Sequence, residues 1–194
     1  MRLTTIRLAV AALAVTLPAT LPAFAGPHGG SVAAVWVPKH VRFIYQGFTT
    51  RYSCDGLRDE VTRLLSKMGP RDLKVREEPC SSSPGVPSPF PGVRVSMQVL
   101  VPAPKAGSTK ADSTKAGPVV PAHWQEVALM PDPAGLEEQG NCELIEQFKE
   151  TFVPLFSTRN IRYESNCVPY QETLGTRLSA EVLMPDRKGA AGGG

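Results

Sequence analysis

The chain has 194 residues, 42% of them apolar and 20% charged, with four Cys, three His and a formal charge of +3. That length accommodates one domain or two small ones. The charge is too small to mark a nucleic-acid footprint, so no nucleic-acid partner is expected.

Residues 1–25 read as a secretory signal peptide. Arg2 and Arg7 form the positive start, Leu8 to Leu17 is apolar except for Thr16, and Ala23-Phe24-Ala25 precedes Gly26 as an A-x-A cleavage site. Pro18 and Pro22 interrupt the run before it reaches the roughly 20 apolar residues a spanning helix needs. The mature chain would carry 19 Lys plus Arg against 18 Asp plus Glu. No transmembrane segment is expected after cleavage, and the expected location is periplasmic or secreted. That compartment permits disulfides.

The remaining chain divides into two similar units, expected over residues 37–102 and 120–187. Arg94 to Pro102 (RVSMQVLVP) and Arg177 to Pro185 (RLSAEVLMP) match at an offset of 83 residues, as do Val37-Pro38-Lys39-His40 and Val120-Pro121-Ala122-His123. An offset of 88 pairs Cys54 with Cys142, Leu57 with Ile145, Leu64 with Phe152 and Met68 with Phe156. Ordered matches of this kind point to a tandem duplication.

Each unit reads as strand, helix, strand, strand. In the first, Val41, Phe43 and Tyr45 alternate as a short strand. Leu57, Val61, Leu64, Leu65 and Met68 form one apolar helical stripe, which Gly69-Pro70 should end. Leu73 and Val75 open a second strand, and Val93 to Val101 alternate strictly in a third, as in a sheet with one buried face. Between them, Ser81 to Pro91 is a proline-rich loop.

Residues 103–119 join the units. Their core, KAGSTKADSTKAG, has no large apolar side chain and reads as a flexible low-complexity linker. The second unit follows with a strand over Trp124–Met130 and a helix capped by Asn141, which Pro154 should kink or shorten. Strands around Ile161-Tyr163 and over Leu178–Met184 complete it, and residues 188–194 read as a disordered tail. The expected fold class is α+β: duplicated β-α-β-β units, each a mostly antiparallel sheet on one helix. The sequence leaves open whether they form two small domains or one pseudo-symmetric domain.

The four Cys are expected to pair within units, Cys54 with Cys80 and Cys142 with Cys167. Each closes a similar loop worth roughly 3 kcal/mol in the chain-entropy model. No C-x-x-C supports thiol chemistry, and no closely spaced Cys pairs support zinc. His40 and His123 are weak metal-ligand candidates, because the offset of 83 gives them matching positions without an acidic or thiolate companion. His28 cannot complete an amino-terminal copper site, because Pro27 has no amide hydrogen to lose. Asp55, Asp59, Glu60, Glu143 and Glu146 read as acids complementing helix N-termini.

No G-x-S-x-G, H-E-x-x-H or phosphate-binding glycine loop occurs, and no cofactor is expected. The favoured reading is a non-catalytic binding or envelope-associated protein with a protein or envelope partner. The alternatives are a periplasmic enzyme with a dispersed site and, behind it, a metal-handling protein. Charge divides unevenly: residues 37–102 balance at +4 and residues 120–187 at −6. Electrostatic docking of the halves and two independently solvated surfaces both follow from that division. The stretch from Tyr45-Gln46-Gly47-Phe48 through Tyr52-Ser53-Cys54-Asp55-Gly56-Leu57-Arg58-Asp59, preceded by Trp36-Val37-Pro38, resembles a group of uncharacterised exported bacterial proteins. The resemblance covers most of the mature chain and implies export, without assigning any site residue.

Overall fold

The computed structural model describes residues 30–49, 51–78, 85–104, 117–129, 142–168, 170 and 176–186. The expected signal peptide, the centre of the linker, Asn141 and the tail lie outside them. Along the chain run β1 (Val32–Ile44), α1 (Cys54–Lys67), β2 (Arg71–Glu77) and β3 (Gly92–Pro102). They are followed by β4 (Val120–Ala128), α2 (Cys142–Thr151), a 3-10 turn (Val153–Leu155), β5 (Thr158–Glu164) and β6 (Arg177–Pro185). The class is α+β.

The strands form one six-stranded sheet in the order β2-β3-β1-β4-β6-β5. All its pairings are antiparallel. Its two halves meet where only Val32, Ala33 and Ala34 pair with Ala122, Pro121 and Val120. β1 thus starts five residues before the first expected unit and is longer than the short strand read around Val41. Its extra residues belong to the sheet because they pair with both β3 and β4.

Local signals explain both helices. Ser53 caps α1, its Oγ accepting from the Gly56 N–H at 3.1 Å, and supplies a partner for one of the orphan donors of the first turn. Gly69, at φ +69°, turns the chain out just past α1. In α2, Pro154 cannot continue the hydrogen-bond ladder, so the helix stops at Thr151 and tightens into the 3-10 turn, as the sequence predicts.

Both helices cover the same face of the sheet. Leu57, Val61, Leu64 and Leu65 of α1 join Leu144, Ile145 and Phe148 of α2, all essentially inaccessible, above Phe43, Val95, Val99 and Val182. Phe152 packs edge-on to Phe43 with ring centroids 5.2 Å apart, so side chains from both halves share one core. The opposite face has a smaller cluster of Ala34, Trp36, Leu100, Ala122 and Leu183 at the junction of the halves. Arg71 stacks over Trp36 and Arg159 over Trp124, at 4.7 and 4.5 Å from the ring centroids.

The strand register aligns the halves differently from the offset of 83 that the sequence suggests at their first strands. Trp36 pairs with Leu100 and Trp124 with Leu183, so the tryptophans hold equivalent places. His40 pairs with Ser96, whereas His123 pairs with Met184. The expected equivalence of His40 and His123 is therefore wrong: the short V-P-x-H match does not set the register, which follows the inward-facing apolar residues. β2 and β5 break register at corresponding places, next to Asp72 (φ 55°) and Asn160 (φ 52°). Asp and Asn are residue types that tolerate this left-handed conformation.

Candidate functional site

One end of the sheet carries the most distinctive surface among the described residues. Where β1 runs out, Gly47 and Phe48 turn toward the segment Ser88–Pro91 that leads into β3. Together with Tyr45, Arg51 and Tyr170 they line a cavity of about 270 Å³. Three of its aromatic rings face water: Phe48 is 60%, Phe90 64% and Tyr170 75% exposed. Phe48 and Tyr170 lean together with centroids 5.4 Å apart. Large aromatics gathered at a surface opening are a signature of recognition rather than of folding.

The segments that present these rings are held by hydrogen bonds. Tyr45 N–H donates to the Pro91 carbonyl at 2.9 Å, and Ser88 N–H donates to the Tyr52 carbonyl at 3.0 Å. The second half supplies the main brace. Glu143, buried in the first turn of α2, accepts from the N–H groups of Phe48 (2.9 Å) and Thr49 (3.0 Å) through one carboxylate oxygen. The Tyr45 hydroxyl donates to that same oxygen at 3.3 Å. One turn on, the Gln147 side chain accepts from Gln46 N–H and donates to the Gln46 carbonyl. Thr49 Oγ1 accepts from Tyr170 N–H at 2.9 Å, which ties Tyr170 to the same loop.

Gly47 is required by this arrangement. A Cβ there would lie 1.8 Å from the Tyr45 hydroxyl oxygen, so only glycine lets the phenol pass beneath the loop to Glu143.

Burial, reinforced by the charge of Glu143 and its hydrogen bond, pushes the Tyr45 phenol far above its usual range. Burial is also the largest cause acting on Tyr163, which donates to Glu146 and is pushed up to about 12. Both phenols therefore keep their protons in the folded chain at a pH where an unfolded chain releases them. Stability is expected to be intact below pH ~10 and to fall as the pH rises through the tyrosine range. Urea midpoints at pH 8 and pH 11 should show that fall, and Tyr45→Phe should make it shallower; equal midpoints would contradict the assignment.

The predicted site residues are dispersed. Cys142 and Cys167 form the expected disulfide, with Cα atoms 5.5 Å apart. Cys54 is buried and disulfide-bonded, and its expected partner Cys80 lies outside the described residues. His40 is exposed on β1, while His123 Nδ1 sits 2.7 Å from Asp186 Oδ1 on the other half of the sheet. Neither histidine lines the cavity. Among the described residues, no group of three or more His, Cys, Asp or Glu is placed to hold a metal ion.

The acids read as helix-dipole partners separate into different roles. Ser53 and Gly85 N–H hold Asp55 below the usual carboxylate range, in keeping with a helix-start acid. Glu143 instead organises a loop nearly a hundred residues away in the chain. Its shortest hydrogen bonds come from backbone N–H groups, which leave no trace in side-chain spacing. Nothing in the sequence spacing marks Phe48 and Phe90 as neighbours; the fold brings them together.

Chemically, the cavity offers apolar stacking surface, one guanidinium from Arg51 and the hydroxyl of buried Ser88. Among the described residues, its lining contains no carboxylate, imidazole or thiol to serve as an acid–base or nucleophilic pair. No protein-family model matches the chain, and neither a curated protein nor a solved structure matches it.

Proposed function

We propose that this is an exported, non-catalytic binding protein whose ligand or partner engages the aromatic cavity at the end of β1. The carrying observation is the convergence of exposed Phe48, Phe90 and Tyr170 around an opening braced from beneath by buried Glu143. Folding leaves three large rings in water while spending a buried carboxylate on holding their loop in place. Such an arrangement is expected where the rings meet something else. The leader-like residues 1–25 and the resemblance to exported proteins support the exported setting.

The fold arose, in this reading, by tandem duplication. Matching element order, equivalent Arg–Trp stacks and corresponding register breaks support that origin. The cavity would then be a later specialisation of one end, since it draws on both halves. Pairing of Cys54 with Cys80 completes the same scheme.

Crosslinking of the tagged, exported protein in intact cells tests the functional reading. Material captured by the wild type, whether protein, lipid or small molecule, is analysed by mass spectrometry beside that of a Phe48→Ser/Phe90→Ser variant. Captured material that disappears in the variant is the expected result. Identical recoveries from the two proteins would overturn the reading.

A further inference from the structure

We propose that the cavity end docks on an anionic lipid bilayer, with Phe48 and Phe90 at the interface and Arg42, Arg76 and Arg94 on the headgroups. This rests on the binding reading above and names its partner.

The sheet face away from the helices supplies the charge. Along β3, Val93, Val95, Met97 and Val99 point into the core, so Arg94 and Ser96 point to the opposite face. Arg94 pairs with Arg42 of β1 on one side and with Arg76 of β2 on the other. Three guanidiniums therefore stand in one row across three strands. One register step along, Ser96 lies between His40 and Lys74. Like charges directly opposite in a sheet are destabilising, so folding alone gives no reason for the row.

Its counter-charge among the described residues is small. Glu78 pairs with Arg94 and is drawn below the usual carboxylate range mainly by that bond, with Arg42 adding to the pull. Arg42, Arg76, Lys74 and His40 make no ion pair with any described residue. Among the described residues, other carboxylates near this end are engaged elsewhere: Glu77 and Asp59 with Arg58, Asp55 with Gly85 N–H, and Glu143 beneath the loop.

The row adjoins the aromatic end. Arg42 and Arg94 are three strand residues from Tyr45 and Pro91, which line the cavity and bond to each other, about 10 Å at the usual strand rise. Arg51 adds a cation at the cavity itself. Exposed Ile44 continues the face between the row and the loops. Exposed rings next to an under-compensated cationic row complement a surface that is apolar beneath and anionic above. No helix among the described residues is long and apolar enough to cross a membrane.

Co-sedimentation with vesicles tests the proposal, using phosphatidylcholine alone and phosphatidylcholine with a quarter phosphatidylglycerol. The wild type should bind the anionic vesicles only, and more weakly at high salt. Arg42→Ser/Arg76→Ser should weaken binding about 25-fold, from the usual contribution of a basic residue at an anionic surface. Phe48→Ser/Phe90→Ser should weaken it while leaving the urea midpoint unchanged, since both rings are already exposed. Absence of binding, or binding indifferent to either pair, would overturn the proposal. So would displacement by millimolar inorganic phosphate, which would point to a free anion as the ligand. A protein captured in the crosslinking experiment with no vesicle binding would remove the lipid partner and leave the binding reading intact.

Discussion

Glu143→Ala is expected to destabilise the protein by about 3 kcal/mol and to release the loop that carries Phe48. The carboxylate accepts two backbone N–H groups and a phenol in a site with little access to water. Hydrogen bonds to a charged acceptor are worth about 1.5–3 kcal/mol each, and they do not add fully when they share one oxygen. Truncation also removes the acceptor that Glu143 offers the Tyr45 hydroxyl under the loop. For a domain of this size the loss corresponds to a fall in melting temperature of roughly 6–12 °C. Glu143→Gln keeps an acceptor of nearly the same shape without the charge, so it should lose about half as much. Hydrogen exchange gives the local readout. The amides of Phe48 and Thr49 should exchange much faster in Glu143→Ala, while those of β3 and β6 change only with global stability. An unaltered Phe48 amide would show that the loop holds without the carboxylate.

Removing the Cys142–Cys167 bond is the second large effect. The link spans 25 residues and ties the start of α2 to the segment after β5. Loop entropy alone assigns it roughly 3 kcal/mol, and Cys142→Ala/Cys167→Ala should lower the urea midpoint accordingly. The local consequence is more informative. Cys142 immediately precedes Glu143, so the bond also fixes the turn that delivers the carboxylate to the Phe48 loop. The two changes should therefore couple: the combined variant should lose less than the sum of the separate losses. Strict additivity would mean that the disulfide acts only on the unfolded chain.

Both effects belong to a site that the sequence reveals only in fragments. The strand-helix-strand-strand order is legible because Val93, Val95, Met97, Val99 and Val101 alternate, and because Leu57, Val61, Leu64 and Leu65 fall on one helical stripe. The Cys142–Cys167 pairing is legible from spacing. The single sheet is not, because three residue pairs join its halves, and the consecutive burial of Ala34, Val35 and Trp36 breaks the alternation that marks a strand. His40 and His123 look equivalent because the V-P-x-H pattern ending at each of them matches, yet cross-strand packing places Trp36 with Trp124 and leaves the histidines out of step. Glu143 looks like an ordinary helix-start acid, since local spacing contains nothing of Phe48 or Thr49.

The narrow seam between β1 and β4 brings two distant parts of the chain together. Ser31, just ahead of β1, donates from its hydroxyl to Asp186, just past β6, at 3.1 Å. Asp186 N–H also donates to the Pro121 carbonyl on the same seam. The order in which the halves follow one another is thus not written into the sheet. A circularly permuted chain, joined from Asp186 to Ser31 and opened between β3 and β4, would keep every strand pairing, both helices and the Glu143 brace beneath the aromatic loop. Only the direction of the link between the halves would change.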